Sequence, residues 1–431
     1  MRSKSTRLEL FKCPVCETFV QRPLPHMNTH LLDRRQFLVT SAATGAGLIT
    51  GLSSLGGAVT PTPTARGNYR GPNIVLIRWG GGARRRESLD PKFTCAPYLT
   101  HELVQRGVLY PRMEIDRFQD YQTSHGEGTL YILTGKYERF RDIAENRPER
   151  GRKFLGARFE AQVPTLFEYF REAFNVPAHQ ALLINGEDRA DEEFYNFSNH
   201  HLFGVNYRSQ TLSLRRYKTW LLQQQLVAGK FEGHQLTEKQ KQLEEYKSLD
   251  YRADKEAGQG TEIERFWANW RSYYGDTGLV NPRGDRLLTE LTLRAIRELR
   301  PRLTMINYQD CDYVHWGYLD HYTRGLAIMD DEVKRLVSLV EADPEYRDNT
   351  VWVIVPDCGR DDNPYTAVPC QHHFGTRSSH EIFALVFGKG IPQGKVVDRT
   401  VSQIQLASTL GRLMGMKTAF AENAVLEEVF A

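Results

Sequence analysis

The side chains able to do chemistry gather at two places on either side of a helix-length run. Asp310, Cys311, Asp312 and His315 follow the apolar stretch Leu303–Tyr308, and Asp357, Cys358 and Arg360 follow Val351–Val355. Carboxylate, imidazole and thiol groups in such company can ligate a divalent cation or act as acids and bases. Between the two places apolar residues recur at Leu326, Met329, Val333, Leu336, Val337 and Val340, the period of a helix with one buried face. Leu303–Arg360 therefore reads as a βαβ unit. In open α/β sheets reactive groups collect just beyond the carboxyl ends of the strands, where loops converge and helix N-termini offer their amides. Asp312, His315 and Asp357 are the expected centre of a site.

Two upstream segments belong with that centre. The apolar run Asn73–Ile77 predicts a central parallel strand covered on both faces, and it passes into Gly80-Gly81-Gly82-Ala83-Arg84-Arg85-Arg86. A glycine turn lets backbone amides approach an anion, and Arg84 to Arg86 could clamp a phosphate or sulfate; taken alone, a solvated basic loop accounts for them better. Ser124 is placed to cap a helix running through Leu133 and stopped by Gly135. Ser124 and His125 then stand where a helix dipole favours negative charge.

The elements that must position these groups are legible around them. Val163-Pro164-Thr165 opens a helix through Phe174, Ala181–Ile184 is a strand, Asp285–Leu299 is a crossover helix, and Ile382–Phe387 and Val401–Leu413 supply a last strand and a closing helix. The polar stretch 207–283 reads as a helical insertion on the substrate side. The expectation is an α/β fold over 67–431, with a mostly parallel central sheet and helices on both faces. A length of 431 residues at 40% hydrophobic leaves ample material for a core. Net charge of +3 is too small to make nucleic acid or an anionic membrane the main partner. Six cysteines in so long a chain are no disulfide framework, and Cys95, Cys311, Cys358 and Cys370 stay open as bridges, free thiols or ligands.

Ahead of this body, Cys13, Cys16, His26 and His30 have a spacing that could close a tetrahedral zinc site in residues 1–32, although the gap between the pairs is short. The pattern resembles small Cys-Pro-Val-Cys zinc fingers; a leader with incidental cysteines is the alternative. Within 33–66, Arg34-Arg35 precedes a weakly apolar run and a Pro/Thr linker, which resembles a twin-arginine (Tat) export signal. That resemblance implies the Tat export machinery as a partner and the periplasm or the outer face of the inner membrane as the destination. Residues 38–59 would be either removed or kept as an anchor.

Taken in order, the body resembles the alkaline phosphatase and sulfatase superfamily, and most closely its Tat-exported bacterial branch, the domain of unknown function 1501 family. The carriers are Gly81-Gly82 followed after seven residues by Asp90-Pro91-Lys92, His125-Gly126 with Tyr131-Ile132-Leu133-Thr134-Gly135, and Asp357-Cys358-Gly359-Arg360. The resemblance implies metal-dependent hydrolysis of a phosphate or sulfate ester. Asp312, His315, Asp357 and either His372 or His373 would hold one divalent ion (zinc, manganese or calcium), with Cys358 as a thiolate ligand. His125 or Ser124 would act as nucleophile or orient water, and Arg84 would balance charge. The chain also departs from the superfamily pattern. Gly80 or Gly81 stands where the first strand ordinarily ends in a metal-binding acid, His125 occupies the nucleophile's place, and Cys358 replaces a histidine. A catalytically degenerate member serving as an envelope binding or assembly protein is the competing expectation.

Overall fold

Asn73–Arg78 (β1) is buried along its whole length, as an apolar run at the middle of a sheet must be. The computed structural model describes residues 68–431 except 119–122, 138–140, 143–158, 199–202, 249–259, 281–283, 316–318, 363–369, 373–374 and 423. The zinc motif Cys13, Cys16, His26 and His30, the export signal and His373 lie outside the described residues.

Eight further strands join β1 in one nine-stranded sheet. They are Gly107–Glu114 (β2), Ala181–Ile184 (β3), Gln210–Leu212 (β4), Leu303–Asn307 (β5), Thr350–Val355 (β6), Glu381–Gly388 (β7), Lys395–Val396 (β8) and Val401–Ser402 (β9). The order across the sheet is β8-β2-β7-β6-β1-β5-β3-β4, with β9 also on β2. From β6 to β4 every pairing is parallel, whereas β7 runs antiparallel to both β6 and β2. The chain leaving the carboxyl end of β6 must therefore return to that same end to begin β7.

Side chains alternate across this sheet as the strand period requires. Val75, Ile77, Ile306, Trp352, Ile354, Phe383 and Leu385 enter one core; Ile74, Leu76, Met305, Val351, Val353, Ala384 and Val386 enter the other. Each buried Val, Ile, Leu, Met or Phe among them contributes about 1.5–3 kcal/mol.

The second core is covered by His125–Thr134 (α1) and Leu166–Phe174 (α2). Ser124 caps α1 by accepting from the Glu127 amide at 3.2 Å, and Gly135, at φ 68°, ends it. The insertion provides Leu214–Val227 (α3), Gly233–Ser248 (α4) and Gly260–Tyr274 (α5). Tyr217, Leu221, Phe266, Trp267 and Trp270 from these helices join the first core beside Asp285–Leu299 (α6) and Leu319–Glu341 (α7). The insertion thus thickens that helical layer. It also grips the margin of the site ionically, through Arg215 and Arg216 on Glu193 and Lys218 on Glu187. Gln405–Met414 (α8) closes the second core. No described helix is long and apolar enough to cross a membrane.

Candidate metal centre

Four adjacent parallel strands, β6, β1, β5 and β3, end side by side, and the residues just past each end face a common space. Beyond β5 comes the turn Asp312–Val314 with His315, beyond β6 come Asp357 and Cys358, beyond β1 come Gly80 to Gly82, and beyond β3 come Arg189 and Glu192. The first residue of α1 brings His125, and the returning loop before β7 brings Gln371 and His372. Gly128 allows α1 this close: a Cβ there would lie 2.0 Å from the Asp357 carbonyl oxygen.

Three imidazoles surround one carboxylate oxygen. His315 Nε2 lies 2.6 Å from Asp312 Oδ1, His125 Nε2 meets the same atom, and His372 Nε2 lies 3.9 Å from it. His315 Nε2 and His372 Nε2 are themselves 3.2 Å apart. Each ring's other nitrogen is held by an acceptor. His125 Nδ1 is 2.8 Å from Asp357 Oδ2, His315 Nδ1 is 2.8 Å from Gln371 Oε1, and His372 Nδ1 is 2.7 Å from the Thr123 carbonyl. Arg189 donates to the second oxygen of Asp312.

Asp357 is wholly buried and its carboxylate sits in a cradle of donors. The amides of Gly81, Gly82 and Cys358 lie 3.5, 3.3 and 2.8 Å from its oxygens, and Arg78 Nη1 lies 3.7 Å away. The glycine turn does receive an anion, but an internal one. Both glycines have positive φ, 91° and 73°, which presents their amides toward Asp357. Burial disfavours the charged form of Asp357 and of Asp312, yet His125 and the other donors outweigh it and hold both carboxyls below their usual range. Burial also lowers His125, but Asp312 and Asp357 win and raise its imidazole well above the ordinary value.

The arginine expectation needs correcting. Arg84 places Nε and Nη2 on Glu87 at 2.7 and 2.8 Å, Arg85 pairs with Glu381, and Arg86 stacks over Phe93. The guanidinium groups at the centre are Arg78 and Arg189, bridged by Glu192 at 3.3 and 3.2 Å. Arg360 lies behind them, donating to the carbonyls of Gly81, Gly82, Cys311 and Cys370. Arg78 had a readable signal, a charge closing an apolar strand; Arg189, in a polar loop, had none.

Among the described residues, Cys95, Cys311, Cys358 and Cys370 are free thiols. Cys358 Sγ is 4.0 Å from His125 Nδ1, and burial followed by the charge on Asp357 pushes this thiol up to about 12. Ser124, the other candidate beside His125, uses its hydroxyl oxygen as the α1 cap.

No family model and no curated protein matches this sequence. Solved structures do. A protein of the alkaline phosphatase superfamily from Vibrio parahaemolyticus aligns with TM-score 0.50 and 15% identity, covering 93% of this chain and 81% of that one. The fold is alkaline phosphatase-like. Lower scores come from the lipoteichoic acid synthase LtaP of Listeria monocytogenes (0.49, 9% identity, 85% of this chain and 77% of that one). The phosphonate monoester hydrolase of Agrobacterium radiobacter follows (0.46, 12%, 83% and 77%).

In this alkaline phosphatase-like chain the first strand has no room for an acid at Gly80, where a Cβ would lie 2.0 Å from the Tyr308 carbonyl oxygen. The donors that remain fit a single ion. One atom from each of His125, Asp312, His315 and His372 falls within a 4.8 Å cluster, and His125, Asp357 and Cys358 form a second, overlapping group. The 3.2 Å between the His315 and His372 nitrogens matches the edge, about 3.3 Å, of a tetrahedron with bonds of about 2.0 Å.

Proposed function

We propose that the chain is a divalent-metal-dependent hydrolase of a phosphate or sulfate ester, with Asp312, His315 and His372 holding the ion. One observation carries this reading. With their Nδ1 hydrogens taken by Gln371 and Thr123, His315 and His372 turn Nε2 lone pairs toward each other across 3.2 Å beside the Asp312 carboxylate. Two lone pairs and an anion so close need a cation between them, a metal ion or added protons.

A bound divalent ion supplies Lewis-acid polarisation of the ester and a lowered pKa for water. The chain's own residues do the remaining work. Arg189 holds Asp312 by one oxygen and leaves the other toward the imidazoles. Asp357, fixed by three amides, orients His125. His315 and Arg189 keep part of their side chains exposed, so an anionic ester approaches from their side and meets the guanidinium first.

Turnover of phosphate, sulfate and phosphonate esters with zinc, manganese or calcium, abolished by chelation and by Asp312→Asn, is the expected result. Absence of turnover with every ion, together with a metal-free purified protein, would refute it.

A second reading, an envelope binding or assembly protein that has lost catalysis, is favoured by one observation: His125, at the nucleophile's place, has both ring nitrogens committed to carboxylates. Bound metal without turnover of any ester class would select it.

The finer placement is part of the proposal. The ordered motifs around Gly81-Gly82, His125 and Asp357 support the domain of unknown function 1501 branch, and Arg34-Arg35 supports Tat export to the periplasm or the outer face of the inner membrane. Replacing both arginines by lysine should retain the protein in the cytoplasm, and mass spectrometry of the mature protein should show whether 38–59 is removed. Zinc on a peptide of residues 8–32 tests Cys13, Cys16, His26 and His30.

A further inference from the structure

We infer that His125 is itself a metal ligand, completing with Asp312, His315 and His372 a three-histidine, one-carboxylate centre for one zinc-class ion. The inference rests on the metal-dependent reading of the same site and changes the role of the residue at the nucleophile's place.

Three features of the geometry carry it. First, His125 presents Nε2 to the same Asp312 oxygen as His315 does, from the opposite element of the fold, the start of α1. The rings fan around that oxygen at interplanar angles of 57°, 53° and 53°, with centroids 4.2 to 6.1 Å apart, so they converge on a point and do not stack.

Second, every imidazole has its outer nitrogen fixed. Asp357, Gln371 and the Thr123 carbonyl each hold one Nδ1, which leaves Nε2 turned inward, where an ion can take the place of a proton. For His125 that partner is a buried carboxylate, an arrangement that orients a ligating histidine and raises its basicity. The same support fixes the backbone, since Thr129 Oγ1 and Tyr195 Oη donate to the His125 carbonyl at 2.6 and 3.0 Å.

Third, the donor set selects the ion. Three nitrogens and one oxygen gathered within 4.8 Å suit zinc or cobalt(II); calcium takes six to eight oxygens and magnesium wants an oxygen octahedron. With Asp357 turned onto amides and His125, Asp312 is the one carboxylate in that four-residue group. With Nε2 on the ion and Nδ1 on Asp357, His125 would have no lone pair left to attack an ester, so attack would fall to water, and the ion would have to admit a fifth donor to act on the ester.

The test uses the full chain with Cys13→Ala and Cys16→Ala, which removes the leader's thiolates. Titrated with cobalt(II), it should bind one equivalent with the visible absorption of a four-coordinate site, and zinc should displace the cobalt while excess calcium or magnesium should not. His125→Ala should weaken cobalt affinity more than about 100-fold and change the spectrum, and Asp357→Asn should weaken it about 10- to 100-fold. Circular dichroism verifies that each variant is folded; if His125→Ala is not, Asp357→Asn decides. One equivalent bound with unaltered affinity and spectrum in the decisive variant overturns the assignment of His125 and leaves the metal-dependent reading standing. Displacement of cobalt by calcium also overturns it. No bound cobalt at all overturns both. A four-coordinate spectrum without ester turnover upholds the ligand set and removes the hydrolase reading.

Discussion

His125 Nδ1 and Asp357 Oδ2, 232 positions apart in the chain, face each other at 2.8 Å and tie the first residue of α1 to the end of β6. The assignment of His125 as a ligand depends on that pair. The pair commits one ring nitrogen of His125 to a buried carboxylate and so decides where the other nitrogen points.

The contact that permits the pair can be broken by one methyl group. Gly128→Ala puts a Cβ 2.0 Å from the Asp357 carbonyl oxygen, backbone against backbone, so α1 must move away from β6. A loss of about 1–3 kcal/mol in urea unfolding is expected, with metal affinity falling alongside as His125 and Asp357 part. Unchanged stability would mean the helix does not approach the strand as closely as described.

Arg84→Ala separates the two views of the arginine loop. Because Arg84 is held by Glu87, its removal should leave metal affinity unchanged and cost about 1–3 kcal/mol through the buried carboxylate left behind. A variant of full stability with impaired ester binding would restore the anion-clamp role.

Metal removal should show in stability as well as in activity. A ligand that binds only the folded chain stabilises it by about 2.7 kcal/mol at 100 times its dissociation constant. Chelation should therefore lower the thermal midpoint, and Asp312→Asn should abolish the difference between chelated and metal-loaded protein. Identical midpoints with and without chelator in the unmodified chain would count against any ion at the site.

Glu168 sets a pH dependence away from the site. Burial pushes its carboxyl from near 4.5 up to about 7, against the opposing pull of the Thr165 and Ser198 amides at 2.8 Å. The folded state thus keeps a proton that the unfolded chain releases, and its contribution is complete below pH 4.5 and lost as pH rises to about 7. That loss amounts to about 3 kcal/mol. Glu168→Gln cannot titrate, so the stability difference between the two proteins should change across this window. Parallel pH profiles would show that Glu168 titrates normally.

Local features were largely readable from the chain. The strands β1, β5 and β6, the buried face of α7 and both caps of α1 follow from period and from single residues such as Ser124 and Gly135. Asp312, His315 and His372 could be singled out because each follows or precedes such an element. The capture of Arg84 was in reach too, since Glu87 stands three residues on. The reversed direction of β7 was not, because a strand's period carries no sign of its partner's direction.

By itself the sequence determined which donor types exist and that they follow strand ends, because strand and helix periods are local properties of the chain. Tertiary structure alone decided what each donor does. Gly81 meets Asp357 across 276 positions, Arg189 meets Asp312 across 123, and Gly80 is closed to any acid by the Tyr308 carbonyl. The physical reason is directional: a lone pair or an N–H bond is useful only within a few tenths of an ångström and a limited angle. Spacing along the chain does not encode how separate strand ends converge to that tolerance.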